Sequence, residues 1–194
     1  HAAGRRARAA VDDSRDRLAA ILGARPHEII FTGGGTESCN LAVMGLARAQ
    51  SAKGKHLIIS AIEHHAVLHA AEHLAKHEGF EVSILPVDAS GIIDPQNLAA
   101  MLRPDTVLVS VMHANNEIGN LLPIEKVAAL CQQYKAYFHC VPFFEYFIMK
   151  TIRTVGNIAQ KRPRGILFAP PPMCKIAHML SKFHPYILIV HNQL

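Results

Sequence analysis

The chain has 194 residues, half of them hydrophobic, which describes a packed globular protein of one domain, or one and part of another, and excludes a disordered polymer. No apolar run approaches the ~20 residues of a membrane span, the first residues lack the apolar core of a secretory leader, and the four cysteines show no C-x-x-C spacing, so a reducing, cytoplasmic setting is expected and neither a disulfide framework nor a zinc knuckle. The net charge of +5 is uneven: residues 1–140 carry 13 Lys and Arg against 14 Asp and Glu, whereas residues 141–194 carry seven against Glu145 alone, together with six of the eleven prolines.

That asymmetry argues against a nucleic-acid-binding body and places a change in the character of the chain near residue 140. We therefore expect a domain over 1–140 and a divergent basic, proline-rich tail over 141–194.

In chain order, Ala3–Leu22 reads as a helix with Val11, Leu18, Ile21 and Leu22 on one stripe. After Gly23 and Pro26 come a strand over Glu28–Phe31 and a helix from Thr36 to Gln50. Strands are expected at Lys55–Ser60, Phe80–Leu85, Thr106–Met112 and Ala136–Cys140, with helices at Ala66–His77, Pro95–Leu102 and Ile124–Tyr134. Short apolar strands alternating with helices imply crossover connections and a mostly parallel sheet covered on both faces, a three-layer α/β fold. Ligands in such sheets sit at the carboxyl ends of strands. The glycine run, Glu63-His64 and His113-Ala114-Asn115-Asn116 all follow strands. Beyond Cys140 the alternation fails: an aromatic patch at Phe143–Phe147, Lys161-Arg162-Pro163-Arg164, three prolines from Pro170 and an apolar run at Tyr186–Val190 do not continue the sheet.

The run Phe31-Thr32-Gly33-Gly34-Gly35-Thr36-Glu37-Ser38 carries the most chemistry. A strand turning through glycines into a helix start gathers free N–H groups at the positive end of a helix dipole, and Thr36 can add a hydroxyl at the cap. It lacks the Lys of a nucleoside-triphosphate loop and the third glycine of a dinucleotide fingerprint, since Ser38 stands there. A tight turn holding no ligand would carry the same local signature.

The stretches Glu28–Ala42, Gly54–Leu68, Gly79–Val82, Gly91–Asp94 and Val109–Gly119 together resemble the cysteine desulfurases of the class V aminotransferase family. The resemblance implies part of the large domain of a fold-type I transferase that uses pyridoxal 5'-phosphate. It implies removal of sulfur from L-cysteine, giving L-alanine and an enzyme persulfide for iron–sulfur supply. A homodimer and a sulfur-acceptor or scaffold protein are the implied partners. At matching positions, Gly35 and Thr36 would hold the cofactor phosphate and Asn116 would hydrogen-bond its ring oxygen. His64 would stack on the ring and take part in proton transfer, work that suits a flat group titrating near neutrality.

Departures from the family pattern are equally specific. The Asp that pairs with the ring nitrogen is expected after the Tyr-x-His-x strand; Val141 stands there, and no Asp follows Asp105. The Ser-Gly-His-Lys motif of the Schiff-base lysine is missing around Lys150, Lys161, Lys175 and Lys182, and Cys174 lacks the setting of a sulfur-accepting loop cysteine. His1-Ala-Ala-Gly resembles a stretch that in the family follows an N-terminal arm. The simplest reading is a desulfurase segment with a replaced tail, as a frameshift or a displaced gene boundary would produce. The alternative to an active enzyme is thus a catalytically silent fragment that keeps the phosphate cradle and a dimer surface.

Three further features are weighed as structure rather than chemistry. His65, His69, His73 and His77 recur every four residues on one helix, but without further ligands they read as a solvated face, and no metal is expected. Cys39, beside the glycine run, is expected to be filler with a somewhat acidic thiol. The aromatic patch with its basic neighbours reads as packing rather than a single-stranded nucleic-acid platform.

Overall fold

The computed structural model describes residues 1–22 and 24–141, and residues 186–189 as backbone. Five α-helices and six strands follow one another in the order α1 (Ala2–Leu22), β1 (Ile29–Thr32), α2 (Gly35–Ala49), β2 (His56–Ser60), α3 (His65–Glu78), β3 (Glu81–Leu85), α4 (Pro95–Met101), β4 (Thr106–Ser110), α5 (Ile124–Tyr134), β5 (Tyr137–His139) and β6 (Tyr186–Ile189).

Four strands form a parallel sheet in the order β3-β2-β4-β5. The central pair, β2 and β4, is buried along its whole length, which is why these segments read as continuous apolar runs rather than alternating ones. Successive side chains of β2 divide between the two faces. Leu57 and Ile59 pack with Val43 and Ala47 of α2 and Val67, Ala71 and Leu74 of α3. Ile58 packs with Leu98 of α4 and Val127 and Cys131 of α5, alongside Val109 and Phe138. Helices therefore cover both faces, and the fold is the three-layer α/β arrangement with a mostly parallel sheet.

Local chemistry explains the element ends. Asp94 caps α4 by accepting from Gln96 N at 2.9 Å, with Pro95 in the first turn. Gly79 ends α3 in the left-handed region at φ 70°, a geometry that glycine adopts without a Cβ penalty. Gly54 permits a close crossing: a Cβ built there would lie 2.2 Å from the Asp105 carbonyl oxygen. His56, buried in β2, bonds Thr106 Oγ1 at 2.7 Å and Ser83 Oγ at 2.9 Å through its two ring nitrogens, so the strand carries a polar residue inside without an orphan.

Three features go beyond or differ from the sequence expectation. The strand expected from Glu28 begins at Ile29, because Pro26–Glu28 forms a 3-10 turn in which the buried Glu28 carboxylate folds back onto Arg25 N at 2.7 Å. β1 does not enter the parallel sheet; it pairs antiparallel with β6, Ile29 opposite Ile189. The α1 stripe is used only at its C-terminal end: Leu18 and Ala19 are buried, with Ala19 against Ile29, while Val11 is 45% exposed because none of the described elements covers it. The aromatic patch, the basic run and the prolines from Pro170 lie outside the described residues.

Candidate functional site

Three turns carry the expected site residues, one after β1 and two at the carboxyl end of the parallel sheet, and each follows from local sequence. After β1 the backbone passes through Gly33 and the extended Gly34, at φ 175°, into α2, whose first intrahelical bond runs from Ser38 N to Gly34 O at 3.0 Å. Gly35 and Thr36 thus occupy the first helical turn, where N–H groups lack intrahelical acceptors. The expectation of a Thr36 hydroxyl at the cap is corrected: Gly34 is the cap residue, and no side chain caps it, because the helix starts one residue early. A carboxylate already occupies the turn, since Glu37 accepts from Gly33 N at 2.6 Å. Gly33 N is thus taken up by Glu37, and the first turn of α2 adds N–H groups that lack intrahelical acceptors.

The second turn joins β2 to α3. His64, exposed at the surface, is the N-cap of α3, and its Nδ1 accepts from Ala66 N at 3.1 Å. That bond assigns the neutral tautomer with hydrogen on Nε2, so Nε2–H is the group free to act outward. Residue 63 lies beneath it. Glu63 Oε1 accepts from Met112 N at 2.6 Å and from Ser60 Oγ at 3.1 Å, while Oε2 is sealed from solvent with no hydrogen-bond partner. Burial raises this carboxyl to about 7, opposed by the two bonds it accepts.

The third turn follows β4. Asn115 is buried and acts as its knot, with Nδ2 donating to Ile62 O at 3.3 Å and Oδ1 accepting from Glu117 N at 2.9 Å and Ile118 N at 3.0 Å. Its neighbour Asn116 is exposed. Two bonds thus tie the His64 turn to the Asn116 turn, Asn115 to Ile62 and Met112 to Glu63. The α2 start and the end of β5 approach the same carboxylate: the charge of Glu63 adds to burial in raising the thiols of Cys39 on α2 and Cys140 beyond β5.

Several residues stand differently from expectation. Cys39 is buried and its thiol is pushed up to about 11, first by burial and then by Glu63, so the acidic thiol is overturned. Val141 packs at the margin of the cluster formed by Val43, Val67 and Leu108, and its carbonyl accepts from His113 N at 3.1 Å. The histidines at 65, 69, 73 and 77 lie exposed along α3, with the 65–69 rings stacked at 5.5 Å and the 73–77 rings tilted at 4.8 Å. Sequence reasoning missed Glu63 and Asn115 as the groups that fasten the turns. A carboxylate a few residues beyond the apolar run Leu57–Ile59 was the available signal for Glu63.

A parallel sheet covered by helices on both faces is the architecture of the fold-type I transferases. The aminotransferase class-V family profile matches residues 1–140, and the chain belongs to that family. It is 47% identical over 158 residues to the cysteine desulfurase IscS of Dictyoglomus turgidum, which covers 81% of this chain and 38% of that protein. With the human cysteine desulfurase it shares 48% identity over 139 residues, 72% of this chain and 30% of the other. Among solved structures, DndA from Streptomyces lividans superposes with a TM-score of 0.66 at 45% identity, covering 72% of this chain and 39% of DndA. SspA, solved in complex with cysteine, gives 0.66 at 39% identity over 72% of this chain and 40% of SspA. The chain spans roughly a third to two fifths of the length of these relatives.

Proposed function

We propose that residues 1–140 are the cofactor-holding part of a cysteine desulfurase and that residues 141–194 are a divergent basic, proline-rich tail. In this reading the enzyme type takes sulfur from L-cysteine, leaves L-alanine and passes the sulfur on as a persulfide for iron–sulfur supply. It works as a cytoplasmic homodimer that delivers to an acceptor or scaffold protein. None of the described helices is long and apolar enough to cross a membrane.

The observation that carries the reading is the fastening of the His64 turn to the Asn116 turn, through Asn115 to Ile62 and Met112 to Glu63, at the sheet end where α2 also begins. Pyridoxal 5'-phosphate, when bound, supplies an electron sink. The residues present fit its phosphate: the α2 start offers the N–H groups of Gly35 and Thr36 with the Thr36 hydroxyl, beside Gly33 N, which donates to the Glu37 carboxylate. His64 would lie against the ring with Nε2–H available, and Asn116 would donate to the ring oxygen.

The ring-nitrogen side does not fit. Val141 offers no carboxylate, and its side chain packs against apolar neighbours, so no step is derived through the ring. The second reading follows from that observation: this chain grips the phosphate but forms no covalent lysine link and does not turn over.

Incubation with pyridoxal 5'-phosphate, borohydride reduction and peptide mapping tests the second reading. Only scattered, substoichiometric lysine adducts are expected, with no sulfide released from L-cysteine. A single stoichiometric adduct accompanied by cysteine-dependent sulfide would overturn it. The grip itself is tested with pyridoxine 5'-phosphate, which lacks the aldehyde. Thr36→Ala should weaken its binding about ten-fold, in line with loss of one hydrogen bond to a charged group; equal binding by the variant would refute the phosphate role of Thr36.

A further inference from the structure

The carboxylate of Glu63 ties the turn after β2 to the end of β4, and the roles given to Gly35, Thr36, His64 and Asn116 do not use it. We propose that Glu63 is a positioning residue, a titratable staple that bolts the His64 turn to the end of β4 and so holds His64 and Asn116 in one arrangement. The inference rests on the cofactor-holding reading above and adds to it a residue that acts through others.

The geometry is asymmetric. Oε1 takes two donors, Met112 N at 2.6 Å and Ser60 Oγ at 3.1 Å, whereas Oε2 takes none and is cut off from water. The 2.6 Å contact is short for an N–H donor, as charge-assisted bonds are. Met112 leads directly into His113-Ala114-Asn115-Asn116, and Glu63 directly precedes His64. One carboxylate therefore spans both turns, and the bond from Asn115 Nδ2 to Ile62 O at 3.3 Å runs beside it as the second tie.

The titratable groups facing the carboxylate are the Cys39 thiol from α2 and the Cys140 thiol beyond β5, both held protonated by burial and by Glu63 itself. Neither supplies a positive charge to hold Glu63 ionised. Burial favours the protonated form and the Met112 and Ser60 bonds favour the ionised one, which leaves the balance near neutrality. Protonation weakens Oε1 as an acceptor and loosens the staple; ionisation tightens it.

The full 194-residue chain is used throughout, as wild type, Glu63→Gln and Glu63→Leu. The amide resonance of Met112 is followed between pH 5 and 9 without any ligand. It should titrate with a midpoint near 7 in the wild type and stay flat in Glu63→Gln, which keeps an acceptor oxygen but cannot ionise; a wild-type Met112 amide that does not titrate overturns the proposal. Dissociation constants for pyridoxine 5'-phosphate are then measured at pH 6 and pH 8. The wild type should tighten about five-fold more than Glu63→Gln over this range, a comparison that cancels the phosphate's own titration. Glu63→Leu should bind about ten-fold more weakly while melting at or above the wild-type temperature, since the leucine removes a buried, half-satisfied charge. Binding by Glu63→Leu equal to wild type, or identical pH profiles for wild type and Glu63→Gln, overturns the proposal. A titrating Met112 amide in a wild type that binds no pyridoxine 5'-phosphate retains the staple and rejects the cofactor reading instead.

Discussion

The two ring nitrogens of His64 are committed differently. Nδ1 is committed to the first turn of α3 through Ala66 N at 3.1 Å, so a proton gained at Nδ1 would cost the helix its cap, whereas Nε2 can exchange partners without disturbing the fold. The family resemblance proposes a ring-facing role for the imidazole, but its capping role emerges only from φ −61° and ψ 144°, which stop the helix short of it. This commitment predicts different effects from two substitutions. His64→Ala should lower the stability of the chain by about 1 kcal/mol, the usual cost of losing a side-chain cap, and His64→Asn should stay within a few tenths of wild type. Urea melts with an unchanged slope measure both. Equal midpoints for the Ala variant and wild type would remove the cap from the account. Asn115 and Asn116 divide in the same way: adjacent in sequence and chemically identical, one is buried in a knot of three bonds and the other exposed. No pattern in the sequence separates them; the turn that folds around Asn115 does.

At the scale of elements, strand–helix alternation was legible because burial on both faces of β2 and β4 demands unbroken apolar runs, and amphipathic helices must cover them. What was not legible was where β1 pairs. An apolar run of four residues carries no record of its partner, and Ile29–Thr32 lies against β6 in its own two-stranded sheet. The stripe on α1 states only which side of the helix is apolar, not how far it is covered, and Val11 stays 45% exposed. Close approaches between elements are also hidden from periodicity, and Gly54 is the clearest. It sits between α2 and β2, where His56 N reaches the Asp105 carbonyl at 3.3 Å, and an added Cβ would lie 2.2 Å from that carbonyl oxygen. The obstacle is backbone, which cannot swing aside as a side-chain tip can. Gly54→Ala should therefore destabilise by about 2 kcal/mol, within the range for overpacking. Thermal unfolding measures it, and a melting temperature unchanged from wild type would show that the β2 and β4 starts can separate freely.

Across the molecule, buried titratable groups pull stability in opposite directions, and the balance fixes a pH profile. Glu63 is raised to about 7 by burial, so the native state holds its proton more tightly than the unfolded chain does. Its contribution is fully present below the ordinary carboxyl value and is lost as pH rises from about 4.5 to 7. His139, bonded through Nδ1 to Ser110 Oγ at 2.8 Å, is lowered to about 4 by burial alone. Its contribution is present above the ordinary imidazole value and disappears as pH falls from about 6.5 toward 4. The two shifts are similar in size and each is worth about 3 kcal/mol, so on their own they would nearly cancel between pH 4.5 and 6.5. The remaining groups break the tie. His56 is lowered by burial and by the Arg103 charge, and His113 by burial, and both side with His139. The exposed carboxylates Glu78 and Glu81, lowered by their bonds to Arg48 and Arg103, lose their advantage only below about pH 4.5, beneath this window, and solvent screens them. Acid should therefore destabilise the chain on balance, with stability rising from pH 4.5 to about 6.5 and then declining gently to pH 8 as Glu63 finishes ionising. Urea midpoints at pH 4.5, 5.5, 6.5 and 8 trace this curve. Glu63→Gln should steepen the acid limb and abolish the decline above neutrality, because only the histidines would then titrate. A variant that keeps the decline would assign it to a group other than Glu63, and a wild type more stable at pH 4.5 than at 6.5 would mean that the imidazoles open to solvent before they charge.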